Sequence, residues 1–122
     1  MARIMIVDDS LVARKMLRAM LEEGGHEVVC EAADGAVAIG LYRTHRPDLV
    51  TMDINMPKLD GVLASEHIHA EFPGACIVMV TSISANEQVR HAFRAGAANY
   101  LLKPLQAEKV LEVVAAALGN GH

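Results

Sequence analysis

Short apolar runs alternate with longer amphipathic stretches along this chain. Ile4-Met5-Ile6-Val7 is an unbroken apolar run, as a strand buried on both faces requires. Ser10 follows as a candidate N-cap. From there to Glu23, Ala13, Met16, Leu17, Met20 and Leu21 share one helical face, with Arg14, Lys15, Arg18 and Glu22 on the other. Gly24-Gly25 stops that helix. Val28-Val29-Cys30 predicts a second strand, and a helix from about Ala36, with Ala38, Leu41 and Tyr42 inward, ends before Pro47. Leu49-Val50-Thr51-Met52 is the third strand, followed by a loop from Asp53 to Gly61. Leu63, Ala64, Ile68 and Phe72 mark a third helix, closed by Pro73-Gly74, and Ile77-Val78-Met79-Val80 is the fourth strand. Ala85, Val89, Ala92 and Phe93 mark a fourth helix ended by Gly96, and Tyr100-Leu101-Leu102 is a short fifth strand. After Lys103-Pro104, Val110, Val113, Val114, Ala117 and Leu118 mark a fifth helix, and residues 119–122 read as a frayed tail.

Strand and helix alternate strictly through five units. That pattern predicts an α/β fold: a parallel five-stranded sheet, doubly wound with helices on both faces and right-handed crossovers. Five units are too few for an eight-fold barrel. The 122 residues allow one domain, 1–122, with no internal repeat or linker.

Composition narrows the function. Hydrophobic residues make up 52% and aromatics only 3%, so the core is aliphatic and a base-stacking platform for single-stranded nucleic acid is not expected. The formal net charge of −4 makes the chain a poor non-specific partner for DNA or anionic membrane. No apolar run approaches the ~18 residues of a spanning helix, and the first residues lack the h-region and cleavage site of a signal peptide. Cys30 and Cys76, set in apolar stretches without a CxxC, read as buried thiols of a cytoplasmic protein. Methionines 5, 16, 20, 52, 56 and 79 follow core spacing, and the six histidines read as surface residues.

In an open α/β sheet, ligands bind beyond the carboxyl ends of the strands. Strand one ends in Asp8-Asp9-Ser10, strand three in Asp53-Ile54-Asn55, strand four in Thr81-Ser82 and strand five in Lys103-Pro104. Three carboxylates, a hydroxyl and an ammonium thus share one crevice if these strands are neighbours. Clustered carboxylates repel, and a hard divalent ion such as Mg²⁺ relieves this while keeping waters for a phosphate. A dinucleotide GxGxxG, a P-loop and a GxSxG elbow are all missing from the sequence.

These residues resemble a CheY-like response-regulator receiver domain of two-component signalling. The likeness rests on Val7-Asp8-Asp9-Ser10, Pro47-Asp48-Leu49-Val50, Asp53-Ile54-Asn55-Met56-Pro57 with Asp60-Gly61, Thr81-Ser82, Ala95-Gly96-Ala97 and Tyr100-Leu101-Leu102-Lys103-Pro104. It spans Ile4 to about Leu118. The family implies a flavodoxin-like strand order of 2-1-3-4-5. It implies Asp53 as phosphoacceptor from a phosphohistidine on a sensor histidine kinase or phosphotransfer domain. Mg²⁺ would be held by Asp9 directly, by Asp8 mainly through water, by Asp53 and by the backbone carbonyl of Asn55. Lys103 and Thr81 would contact phosphoryl oxygens, and Tyr100 would act with Thr81 as the switch. The output partner would meet the face of the fourth helix, fifth strand and fifth helix, with Arg90, Phe93, Tyr100, Lys109 and Val113. Direct nucleic-acid binding and membrane insertion are not implied, and catalysis is limited to the domain's own phosphorylation and dephosphorylation. Ile83, two residues past Thr81, stands where related chemotaxis proteins can carry a charged residue, and is read either as slowing phosphoryl loss or as helix packing.

Other readings stay open. The chain is either a stand-alone regulator or the N-terminal receiver of a longer one. A haloacid-dehalogenase-like phosphatase also uses a strand-end Asp with Mg²⁺, but it needs an acid two residues later, where Asn55 stands. A receiver that only docks partners is the third.

Overall fold

The structure is a computed structural model and describes residues 1–54, 56, 60–81 and 98–119. The predicted fourth helix, Asn55, Ser82, Ile83, Arg90, His91, Phe93 and residues 120–122 lie outside the described residues. The elements are β1 (Arg3–Val7), α1 (Leu11–Glu23), β2 (Glu27–Ala32), α2 (Gly35–His45), β3 (Leu49–Asp53), α3 (Gly61–Glu71), β4 (Ile77–Thr81), β5 (Asn99–Leu102) and α4 (Ala107–Ala117). Helix α4 is thus the fifth helix of the sequence reading.

All strand pairs are parallel, and the order is β2-β1-β3-β4-β5, as expected. β3 and β4 are buried at every position, which is why both read as continuous apolar runs. Alternation along the strands sends side chains to two cores. On one face Met5, Val7, Val50, Met52, Ile77 and Met79 pack with Ala38 and Tyr42 of α2 and Ala64 and Ile68 of α3. On the other, Ile4, Ile6, Leu49, Val78, Val80 and Leu101 pack with Leu17 and Leu21 of α1 and Val110, Val113 and Val114 of α4. The sheet is therefore doubly wound. Each fully buried Leu or Ile contributes about 1.5–3 kcal/mol relative to exposure.

Side-chain caps start three helices. Ser10 Oγ accepts the Ala13 N–H at 3.1 Å, and the carboxylates of Asp34 and Asp60 accept from Val37 and Leu63, each at 2.9 Å. Each cap is worth about 1 kcal/mol. Helix α1 ends in paired reverse bonds, His26 N–H to Leu21 carbonyl and Gly25 N–H to Glu22 carbonyl, both 3.0 Å. The turn requires φ +89° at Gly25, a left-handed conformation that glycine adopts without steric cost. No helix among the described residues is long and apolar enough to cross a membrane.

Several core assignments are corrected. Met16 is 56% exposed: the inward stripe of α1 centres on Leu17 and Leu21, and Met16 lies one step round on the rim. Leu63 is exposed in the same way beside the inward Ala64 of α3, and Leu118 is exposed one residue past the end of α4. Cys30 and Cys76 are only half-buried, and partial desolvation pushes both thiols above their ordinary pKa. His26, His45 and His69 are half-buried rather than fully at the surface. His69 Nε2 is enclosed with no hydrogen-bond partner among the described residues. His26 Nδ1 accepts the Ala2 N–H at 3.1 Å.

Candidate functional site

The strand period builds the site. Ile4 and Ile6 of β1, Leu49 of β3 and Leu101 of β5 all point into the core beneath α1 and α4. Continuing that alternation carries Asp8, Asp53 and Lys103 onto the same face at the carboxyl ends of their strands. The ladder persists past the strand ends, so these positions are fixed. Asp8 N–H donates to Ala32 carbonyl at 3.0 Å, Ile54 N–H to Val80 carbonyl at 3.0 Å, and Lys103 N–H to Thr81 carbonyl at 2.8 Å. β1 and β3 are neighbours, with Val7 opposite Met52, which sets Asp8 beside Asp53. β5 is separated from β3 by β4, and the long Lys103 stem spans that gap.

Asp8, Asp9 and Asp53 each present one carboxylate oxygen, all within 4.8 Å of one another. Asp8 and Asp53 are buried and Asp9 is exposed. At such spacing each like-charged pair repels by on the order of 3–4 kcal/mol at an effective dielectric of about 20. Lys103 Nζ lies 3.0 Å from Asp8 Oδ2 and 3.8 Å from Asp53 Oδ2. Burial alone would lower the Lys103 pKa. The hydrogen bond to Asp8 and the charges of Asp53, Asp8 and Asp9 outweigh it and hold the ammonium above the usual lysine value.

Among the described residues, one ammonium against three carboxylates leaves formal negative charge in the crevice. The donor set is all hard oxygen, without histidine or thiol, and it fits a small divalent cation such as Mg²⁺. The cluster could hold such a metal. Thr81 ends β4, fully buried, one residue past Val80, the register partner of Asp53. Tyr100, on β5 opposite Met79, is 36% exposed. It lines a surface cavity of about 440 Å³ with Lys109, Glu112 and Val113. The structure thus brings Asp8, Asp9, Asp53 and Lys103 together, with Thr81 and Tyr100 on the adjoining strands.

Two contacts were not anticipated from the sequence. Helix α3 begins against the backbone of Asp53: a Cβ on Gly61 would lie 2.1 Å from the Asp53 carbonyl oxygen. Arg14, assigned to the solvent face of α1, instead reaches inward. Its Nη1 donates to the Asp8 carbonyl at 2.7 Å and its Nε to Glu31 at 3.0 Å. A sequence signal existed for the second: Arg14 and Arg18 stand four apart on one helix stripe, and Glu31 stands near the end of the next strand.

This doubly wound sheet, with an acid cluster at its carboxyl edge, defines a class, and comparison with known proteins identifies it. Residues 4–115 match the response regulator receiver domain family, and the chain belongs to that family. It is 44% identical over 112 residues to the chemotaxis protein CheY of Bacillus subtilis, covering 92% of this chain and 93% of that protein. It is 41% identical over 112 residues to the chemotaxis protein CheY of Halobacterium salinarum, covering 92% of each. Among solved structures it resembles a chain of the CheX-CheY-BeF3-Mg complex from Borrelia burgdorferi, with TM-score 0.91 and 33% identity, covering 93% of this chain and 87% of that one. The chain is a CheY-like receiver domain, a signalling module of two-component systems.

Proposed function

We propose that this domain accepts a phosphoryl group on Asp53 from a phosphohistidine of a sensor histidine kinase or phosphotransfer domain, and thereby alters a surface for an output partner. The observation that carries this reading is the convergence of three carboxylates and the Lys103 ammonium at one sheet edge. An Asp53 carboxylate oxygen attacks phosphorus and forms the acyl phosphate. The P–N bond breaks, and its electron pair leaves on the imidazole nitrogen, which takes a proton from solvent. Chemistry of this kind is mostly positioning and charge neutralisation.

Lys103 pairs with the phosphoryl oxygens and Thr81 donates its hydroxyl to one. Asp8, Asp9, Asp53 and the Asn55 carbonyl are the residues that would hold Mg²⁺; when bound, the ion supplies positive charge beside the transferring group. Asp9 is assigned the direct ligand role and Asp8 the water-mediated one. The state of Asp8 supports that division: Oδ1 already accepts the Ser10 N–H at 2.9 Å and Oδ2 the Lys103 ammonium. The likeness to the Borrelia burgdorferi protein, solved with BeF3 and Mg, supports the same ligand chemistry here.

The switch pairs Thr81 with Tyr100, and the output face runs over the predicted fourth helix, β5 and α4. Exposed Tyr100 and Lys109 beside the cavity on that face support it. The domain acts in the cytoplasm, and its only catalysis is on itself. Labelling by acetyl phosphate with Mg²⁺ tests the reading. One base-labile equivalent per chain agrees with it, turnover of many equivalents indicates a phosphatase, and none indicates a docking module.

A further inference from the structure

Asp8 is held at every polar position it has. Its N–H donates to the Ala32 carbonyl, its Oδ1 accepts from Ser10 N–H, its Oδ2 from Lys103, and its carbonyl oxygen from Arg14 Nη1 at 2.7 Å. The last bond fixes the Asp8–Asp9 peptide plane, and so the starting direction of both acidic side chains. Arg14 is itself fixed. Its Nε donates to Glu31 Oε1 at 3.0 Å, and Glu31 Oε2 accepts Arg18 Nε at 2.7 Å. The Arg14 and Glu31 side chains retain only 15% and 22% of their exposure. Burial would raise the Glu31 carboxyl, but the hydrogen bonds from Arg18 and Arg14 hold it below the usual glutamate value. The Arg14 bond engages the Asp8 main-chain carbonyl and takes up neither carboxylate oxygen, which are held by Ser10 and Lys103.

We infer that Arg14, braced by Glu31, is a positioning residue for the acid pair: its planar guanidinium spans the Asp8 carbonyl and the end of β2 and pre-sets the β1–α1 loop for cation binding. The inference rests on the metal role proposed above for Asp8 and Asp9. A planar fork can hold a carbonyl and a carboxylate together, and an ammonium on a flexible stem cannot do both in one fixed geometry. Geometry rather than charge is therefore the quantity at stake, since removing a positive charge beside an acidic crevice would by itself strengthen cation binding.

The test uses Arg14→Lys, which keeps the charge, and Glu31→Gln, which keeps the shape of the brace. Calorimetric Mg²⁺ titration of the phosphodonor-free protein is combined with amide spectra of the metal-free protein and thermal melting. Arg14→Lys should weaken Mg²⁺ binding by roughly threefold to tenfold, at most about 1.4 kcal/mol. Glu31→Gln should weaken it less, and the double variant no more than Arg14→Lys alone, because both act through one contact. The Asp9 and Ser10 amides should shift in both variants without metal. Wild-type Mg²⁺ affinity in Arg14→Lys overturns the inference, whether or not its melting temperature falls. If the wild type itself binds no Mg²⁺, the metal reading fails, and the amide spectra decide the positioning role: unmoved Asp9 and Ser10 amides overturn it.

Discussion

Gly61→Ala should disturb the phosphoacceptor without touching its side chain. The new Cβ would lie 2.1 Å from the Asp53 carbonyl oxygen, 2.8 Å from its carbon and 3.0 Å from Ile54 Cα. Real Cβ contacts essentially never fall under 3.0 Å, so the start of α3 must retreat from the end of β3 by about 1 Å. All three atoms are backbone, so no side-chain rotation relieves the clash. Overpacking of this kind costs about 1–3 kcal/mol. Weakening the Gly61 N–H bond to the Ile54 carbonyl, now 3.1 Å, adds about 1 kcal/mol. Alanine's better helix propensity offsets up to about 1 kcal/mol of this, leaving a net loss of about 1–4 kcal/mol. Urea denaturation should show a lower midpoint at unchanged slope. Labelling at conditions where the variant is fully folded should also slow, since a 1 Å misplacement can cost about 10²-fold in rate. Gly40→Ala is the control: Gly40 is an exposed position inside α2 with nothing within 4 Å of its added Cβ, and it should stabilise by about 0.5–1 kcal/mol. Wild-type stability and labelling rate in Gly61→Ala would refute the close-approach argument.

Thr51 Oγ1 is buried on β3 with no hydrogen-bond partner among the described residues, so Thr51→Val should raise stability by about 1–2 kcal/mol in the same urea assay, and a loss would show a missed partner. Burial, with the N-terminal ammonium, holds the His26 pKa below its ordinary value. The unfolded chain therefore takes up the proton first as pH falls below about 6.5, and stability should decline there until the folded pKa is passed. His26→Gln should flatten that part of the wild-type curve, and parallel curves would contradict the assignment. Leu21→Ala, at a fully buried position between α1 and the sheet, should cost about 2–5 kcal/mol of unfolding free energy, and a calorimetric change under 1 kcal/mol would misplace that core.

The strands were legible in the sequence because a strand buried on both faces leaves no polar interruption: Ile4–Val7 and Ile77–Val80 could be read directly. The acid cluster was legible because strand ends converge in a parallel sheet, although the strand order came from the family likeness. Depth along a helix was not legible. Helical spacing groups Met16 with Leu17 and Met20 but does not say where the sheet stops, and Met16 falls beyond that edge. The inward reach of Arg14 depends on β2 lying beside β1, and the need for glycine at 61 depends on how closely α3 approaches β3. Both are contacts between segments distant in sequence, which local periodicity does not encode.

The acceptor assignment is tested most directly by trapping the acyl phosphate. Protein exposed to acetyl phosphate and Mg²⁺ is reduced with borohydride, which converts a phosphorylated aspartate to homoserine, and its peptides are sequenced by mass spectrometry. Conversion at position 53 alone, abolished in Asp53→Asn, is the predicted result. Conversion at Asp8 or Asp9, or undiminished labelling of Asp53→Asn, would contradict the account.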